Sequence, residues 1–65
     1  MNYKRAFELL REYPGLIWET DGLTNIIGGY LPAHYGKEVA IQIATELNCR
    51  IAYLNKMEKQ YVFYK

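Results

Sequence analysis

The single cysteine, Cys49, constrains the fold of this chain more than any other feature. A chain of 65 residues buries only about 60% of its unfolded surface on folding, and one thiol cannot form an intrachain disulfide. Cys49 and the one histidine, His34, also cannot complete a four-ligand zinc site without carboxylates. We therefore expect one domain over 1–65 and no metal site, with self-association as the remaining source of added stability.

Composition and the N-terminal sequence indicate a folded globular domain in the cytoplasm. Hydrophobic residues make up 51% of the chain and charged residues 23%, as is typical of folded domains. Residues 1–8 lack the apolar stretch of a signal peptide, and no apolar run approaches the ~20 residues of a membrane span. A lone thiol is typical of a reducing compartment.

The formal net charge of +1 conceals basic ends and an acidic middle. The last part of the chain carries Arg50, Lys56, Lys59 and Lys65 against Glu58. The middle carries Glu12, Glu19, Asp21, Glu38 and Glu46 against Lys37. A solvated mixed surface is the simplest interpretation, but such an asymmetry can also select partners.

Apolar residues at three- and four-residue spacing predict a helix at the start of the chain. The apolar stripe is Tyr3, Ala6, Phe7, Leu10 and Tyr13, widened by Leu9. Asn2 can cap the helix N-terminus. Pro14-Gly15 ends the helix, because proline disfavours the helical conformation of the residue before it.

Residues 16–31 allow two interpretations. Residues 16–20 favour a short strand, and Asp21-Gly22 is a two-residue hairpin turn. That turn would place Thr20 opposite Leu23, Trp18 opposite Asn25 and Leu16 opposite Ile27, with Leu16, Trp18, Leu23 and Ile27 on one face. The alternative is a short helix from Thr24 to Leu31.

Gly28-Gly29 favours the strand interpretation, because each interior glycine costs a helix about 1 kcal/mol relative to alanine. We expect these glycines to let the chain bend. They do not form a phosphate-binding loop of the Walker type, since the Gly-Lys-Ser/Thr ending is missing.

The second half repeats the helix and hairpin pattern. A helix is predicted from about Tyr35 to Leu47. Pro32 is the start signal before it, and Asn48 is a left-handed stop signal after it. Its apolar stripe is Val39, Ala40, Ile43, Ala44 and Leu47, and Ile41 lies on the far side. The hairpin of residues 50–54 and 60–64 pairs Leu54 with Gln60, Tyr53 with Tyr61, Ile51 with Phe63, Ala52 with Val62 and Arg50 with Tyr64.

The elements together predict a small α+β domain of order αββαββ, in which two helices pack on an antiparallel sheet of two hairpins. The alternative is a winged-helix-like order, αβααββ, which requires the helix over residues 24–31. Its groove-binding helix, residues 37–48, carries little positive charge, whereas phosphate contacts dominate nucleic-acid affinity.

The titratable and nucleophilic side chains give little indication of an enzyme, and we expect no catalytic residues and no cofactor. General acid–base catalysis needs two titratable groups in contrasting environments. His34 lies in a loop or at a helix start. Asp21 is two residues from Glu19, but its presence is explained by its position in the hairpin turn. Cys49 follows a helix C-terminus, where the dipole disfavours a thiolate, so we expect a small core-facing residue.

Protein contacts are the function that the sequence favours. Seven tyrosines in a short chain exceed what one small core buries easily with every hydroxyl satisfied, and tyrosine is enriched at interfaces. We expect a small non-enzymatic regulator or inhibitor that binds another protein or a second copy of itself as a homodimer. The interface candidates are Tyr30, Tyr35, Ile41 and Tyr64.

Nucleic-acid binding is the alternative, and it depends on the last hairpin. Aromatic residues on a sheet can stack bases while flanking cations follow the phosphates. The candidates are Arg50, Tyr53, Lys56, Lys59, Tyr61 and Lys65. The same rings are also needed for a core, and we expect Ile51, Tyr53, Tyr61 and Phe63 to lie under the helices.

Overall fold

The elements of the computed structural model, which describes residues 3–22, 25–53 and 57–64, follow the predicted order αββαββ. They are α1 (Tyr3–Glu12), β1 (Ile17–Thr20), β2 (Ile26–Pro32), a 3-10 turn (Ala33–Tyr35), α2 (Lys37–Leu47), β3 (Arg50–Tyr53) and β4 (Gln60–Tyr64). The α+β class is confirmed. The winged-helix alternative is wrong, because β2 occupies most of the segment that it requires as a helix.

Four strands form one antiparallel sheet in the order β1-β2-β4-β3. The two hairpins are joined through β2 and β4, from Gly28 opposite Tyr64 to Pro32 opposite Gln60. Strands β1 and β3 are therefore the edges. The core is formed where both helices cover one face of the sheet, from Ala6, Leu9, Leu16, Ile26, Leu31, Ala40, Ile43, Ala44, Leu47 and Phe63.

The predicted register of the second hairpin is confirmed. Tyr53 lies opposite Tyr61 and Ile51 opposite Phe63. The pairs on the other face are Ala52 with Val62 and Arg50 with Tyr64. Several predicted features lie outside the described residues: the Asn2 cap, the helix start at Thr24, the positions of Leu23 and Leu54, and the side chains of Lys56 and Lys65.

The predicted register of the first hairpin is wrong. Trp18 lies opposite Gly29 instead of Asn25, and Thr20 lies opposite Ile26, with a bulge beside Glu19 and Thr20. The turn is wider because the Asp21 carboxylate accepts hydrogen bonds from the backbone and side-chain N–H groups of Asn25. As a result Ile26 enters the core and Ile27 is 47% exposed.

Trp18 and the glycines of β2 join α1 to the sheet. Trp18 Nε1 donates a hydrogen bond of 2.7 Å to the carbonyl of Ala6, and its ring centroid is 5.5 Å from that of Phe63. A Cβ on Gly29 would lie 2.3 Å from a Trp18 ring carbon, and one on Gly28 would lie 2.7 Å from the Phe63 carbonyl oxygen. The glycines thus allow Trp18 and the neighbouring strand backbones to approach closely. The sequence had instead predicted that these glycines let the chain bend.

The helices largely follow the predicted stripes, with differences at two places. In α1, Ala6 and Leu9 are buried, but Phe7 is 52% exposed, because it lies on the flank of the stripe that Ala6 and Leu10 define. In the second half, the 3-10 turn and Gly36, with φ of 94°, delay the start of α2 to Lys37. Asn48 ends α2 at φ 55° and ψ 49°, as predicted.

An ion-pair cluster also connects the helices. Arg5 Nε donates to the Glu46 carboxylate of α2 at 2.6 Å, and an Arg5 guanidinium nitrogen is 3.1 Å from the Glu12 carboxylate. All these side chains are partly exposed, so solvent screens the attraction and the pairs contribute little to stability. Burial of the apolar core therefore sets the packing of the helices.

Replacing Gly29 with alanine should destabilise the protein by about 1–3 kcal/mol, the usual cost of overpacking. The added methyl group meets the Trp18 ring and, at 2.7 Å, the Ile17 carbonyl oxygen. Urea unfolding followed by tryptophan fluorescence measures the change. The exposed helix substitution Gln42→Ala is the control, with an expected effect within about 0.5 kcal/mol.

A double-mutant cycle tests whether the Trp18 ring is the reason that Gly29→Ala destabilises the protein. Trp18→Leu removes the ring, so Gly29→Ala should cost less in that background than in the wild type. Because Trp18 is the only tryptophan of the chain, urea unfolding of all four proteins is followed by circular dichroism. An equal cost in both backgrounds would show that the tryptophan ring is not what requires glycine here.

Candidate functional site

The face of the sheet opposite the helices is the first candidate surface. Successive side chains of a strand point to opposite faces, and Trp18, Gly29, Phe63 and Ile51 mark the helix side. Their neighbours along each strand therefore define the open face. Its residues are Ile17, Glu19, Gly28, Tyr30, Arg50, Ala52, Val62 and Tyr64.

The open face is organised in two rows that cross all four strands. The apolar row runs Ile17, Tyr30, Val62, Ala52 from β1 to β3. The charged row runs Glu19, Gly28, Tyr64, Arg50 in the same direction. Ile17 is 56% exposed and Tyr64 is 41% exposed, so water contacts a substantial apolar surface here.

Tyr30 and Glu19 interact across neighbouring strands of this face. The Tyr30 hydroxyl donates a hydrogen bond to the Glu19 carboxylate, and this contact is the main reason that the pKa of Tyr30 is raised above its ordinary value. The negative charges of Glu19 and Glu58 and partial desolvation act in the same direction. The carboxylate of Glu19 is thereby held over the sheet.

A groove beside the edge strand β3 is the second candidate surface. It has a volume of about 430 Å³, lies between α2 and β3, and we name it the edge groove. It is lined by Lys37, Ile41, Ile51, Ala52, Tyr53 and Tyr61. Ile41 is 44% exposed and Tyr53 is 53% exposed, and the Tyr53 and Tyr61 rings meet at 5.0 Å with an interplanar angle of 67°.

The surroundings of the edge groove are basic. A neighbouring hollow of about 570 Å³ is lined by Pro32, Ala33, His34, Tyr53 and Lys59. Tyr53 borders both hollows, with Lys37 on one side and Lys59 on the other. Within the described part of the chain, no carboxylate lines either hollow.

The structure distributes the predicted interface residues over three places. Tyr30 and Tyr64 lie on the open face, and Ile41 lies in the edge groove. Tyr35 packs against the core instead of lying outside it. Its hydroxyl donates to the carbonyl of Pro14, and its ring meets the Tyr13 ring edge-on at 5.2 Å. A contact role for each of them stays a prediction.

The predicted nucleic-acid residues do not share one surface. Arg50 lies on the open face, whereas Tyr61 packs toward the core on the helix side and Tyr53 lies beside it. Tyr53 is therefore more exposed than expected for a residue under the helices. Lys59 has a positive φ of 49° just before β4.

Some residues of the two surfaces were missed at the sequence level. Ile17 was not singled out because the predicted register of the first hairpin did not place it beside Tyr30, its neighbour on the open face. Lys37 was considered as the positive charge in the acidic middle of the chain. Val62 was placed opposite Ala52 in the predicted register but was not identified as part of a surface.

The remaining side chains considered for chemistry are Cys49 and His34. Burial raises the pKa of the Cys49 thiol, which packs against the core. The His34 ring lies 4.2 Å from that of Tyr35. Across residues 3–22, 25–53 and 57–64, no group of three or more His, Cys, Asp or Glu side chains is placed to hold a metal ion.

Comparisons with protein-family models, curated proteins and solved structures find no match to this chain. Among the described elements, no helix has the length and apolar character needed to cross a membrane. Function must therefore be inferred from the two surfaces themselves.

Replacing Glu19 with glutamine should lower the pKa of Tyr30 toward its ordinary value of 10.0. The carboxylate stabilises the neutral phenol and repels the phenolate, so loss of its charge makes ionisation easier. An NMR titration of the tyrosine ring carbons, assigned with Tyr30→Phe, measures the shift. Glu38→Gln, on α2, should leave this pKa unchanged; a Tyr30 pKa that is insensitive to Glu19→Gln would contradict the contact.

Proposed function

We propose that this protein is a small non-enzymatic regulator or inhibitor that binds an extended segment of another protein in the edge groove. The observation that carries the proposal is the position of this groove beside a sheet edge. Strand β3 pairs only with β4 among the described strands, so its outer backbone groups can accept another strand. Extended peptides bind in this way, with alternate side chains in adjoining pockets.

The lining of the groove defines the partner segment. Ile41, Ile51 and the two tyrosine rings favour aliphatic or aromatic side chains at alternate positions. Lys37 and Lys59 favour carboxylates on the segment. Exposed ion pairs contribute only about 0–1 kcal/mol each, so apolar burial and backbone pairing supply most of the affinity, while the lysines supply selectivity.

Inhibition follows from this mode of binding. A segment held as an added strand has its backbone groups and alternate side chains engaged, so it cannot make its other contacts at the same time. We place this activity in the cytoplasm, because the Cys49 thiol is free and a lone thiol is typical of a reducing compartment.

Nucleic-acid binding is less well supported by the geometry. A single-stranded chain needs stacking rings and cations along one track. Tyr53 and Lys59 are neighbours, but Arg50 and Tyr64 face the opposite side of the sheet. The observations therefore favour a protein segment, and oligonucleotide binding is an outcome that the experiment must distinguish.

Peptides selected from a random phage-displayed library on the wild-type protein should alternate apolar residues with at least one carboxylate. Ile41→Asp should weaken their binding about tenfold or more, a loss of about 1.4 kcal/mol or more, because a charge enters the apolar groove. Phe7→Asp is the matched control: it also changes an exposed apolar helix residue, 52% exposed, and should leave the affinity unchanged. Isothermal titration calorimetry measures both.

Two further measurements test the binding mode. Lys37→Glu should weaken acidic peptides and strengthen the same peptides with lysine in place of the carboxylate. Hydrogen exchange should slow at amides of residues 50–53 when peptide binds. Failure to select peptides, unchanged affinity in Ile41→Asp, or salt-sensitive binding of a labelled single-stranded oligonucleotide that Tyr53→Ala abolishes would contradict the proposal.

A further inference from the structure

Among the described residues, the open face of the sheet shares only Ala52 with the edge groove, and its pattern of side chains is self-complementary. We propose that a second copy of this chain covers it, in a face-to-face dimer whose two-fold axis runs parallel to the strands. In a two-fold interface the same surface is used by both subunits, so each contact occurs twice. Both rows of the open face satisfy this requirement.

The charged row gives the first argument. A two-fold axis along the strands keeps the position along each strand and reverses the order of strands, so β1 lies over the partner's β3. Glu19, at the β1 end of the row, then lies over Arg50 of the partner subunit. By symmetry Arg50 lies over Glu19 of the partner subunit, and both edges of the interface carry opposite charges.

The shapes of the facing side chains give the second argument. The same axis places Tyr64 over the partner's Gly28, a large ring over a residue without a side chain. In the apolar row it places Ile17 over the partner's Ala52 and Tyr30 over the partner's Val62. Larger side chains thus face smaller ones in each of these pairs, as interdigitation of two packed sheets requires.

Charge also excludes the other orientation of the axis within the plane of the sheet. An axis perpendicular to the strands would keep the strand order and place β1 over the partner's β1. Glu19 would then face the edge that carries Glu19 of the partner subunit, and Arg50 would face the partner's Arg50 edge. Such like-charge placement is unfavourable, so the distribution of charge selects the axis parallel to the strands.

The contact between Tyr30 and Glu19 prepares the surface. The Tyr30 hydroxyl binds one side of the Glu19 carboxylate and holds it over the sheet. The carboxylate can accept further hydrogen bonds. It can therefore bind the partner's Arg50, whose long side chain spans the separation that sheet twist produces at the edges.

The small size of the face indicates a weak dimer. Four strands of about five residues each project roughly 300 Å². Stable complexes bury about 800 Å² of accessible surface per partner. We therefore expect a weak dimer that dissociates on dilution.

Sedimentation equilibrium of the full chain over a range of concentrations at low salt tests the dimer. Arg50→Glu and Glu19→Arg should each weaken self-association about tenfold or more, because each places like charges at both edges. Circular dichroism checks that both variants are folded. The double variant Glu19→Arg with Arg50→Glu should dimerise like the wild type.

Mixing the two single variants provides a second test that does not depend on the double variant. A subunit with Glu19→Arg and one with Arg50→Glu have opposite charges at both edge contacts, so the mixture should form a heterodimer that neither variant forms alone. Ile41→Asp, in the edge groove, is the control and should leave dimerisation unchanged.

Three results would overturn the inference: a wild-type chain that is monomeric at all concentrations, a dimer insensitive to both charge reversals, or a dimer lost in Ile41→Asp. The inference does not rest on the peptide-binding proposal, because the two surfaces have different residues at their centres. Dimerisation without peptide binding, or the reverse, therefore shows which of the two has failed.

Discussion

The packing of Trp18 against Gly29 is the contact on which the rest of the structure depends. The indole lies on the helix side of β1, contacts Phe63 on β4, and donates its N–H to the Ala6 carbonyl of α1. One side chain thereby connects the first helix, both hairpins and the core. The absence of a side chain at Gly29 is the condition for this arrangement, because any Cβ would overlap the ring. The same close packing leaves the opposite face of the sheet uncovered by either helix.

The parts of the fold that follow from local spacing were predictable, and those fixed by side-chain contacts in loops were not. The second hairpin has aromatic and β-branched residues at alternate positions in both strands, so its register could be predicted as far as Tyr53 and Tyr61. The first hairpin contains a strong turn signal, Asp21-Gly22, that predicts a tight turn. The contact between Asp21 and Asn25 closes a wider loop, and the bulge then exchanges the roles of Ile26 and Ile27. Neither the Asp21–Asn25 contact nor the bulge can be identified from periodicity.

The same distinction applies to the candidate surfaces. A surplus of tyrosines predicted contact surfaces but not their positions. Tyr35 packs inside the protein, because its hydroxyl donates a hydrogen bond to the Pro14 carbonyl just after α1. This contact joins segments that are distant in sequence. Tyr30 and Tyr64 share a face only because β2 and β4 are neighbours, and the strand order decides this. The rows that connect them to Glu19 and Arg50 need the register of all the strands, including the one that was predicted wrongly.

The two proposals are geometrically compatible. In a dimer with its axis along the strands, β3 of each subunit lies over β1 of the other, so the two edge grooves lie at opposite edges of the assembly. Each groove is built mainly from α2 and the helix side of β3, away from the shared face. A dimer would then present two grooves at a fixed separation, and binding of two segments of one partner would benefit from the high effective concentration of the second. A weak dimer interface is sufficient for this, because the doubly bound partner itself adds to the association of the subunits. Peptide affinity measured on the monomer would therefore underestimate the affinity for a partner that carries two such segments.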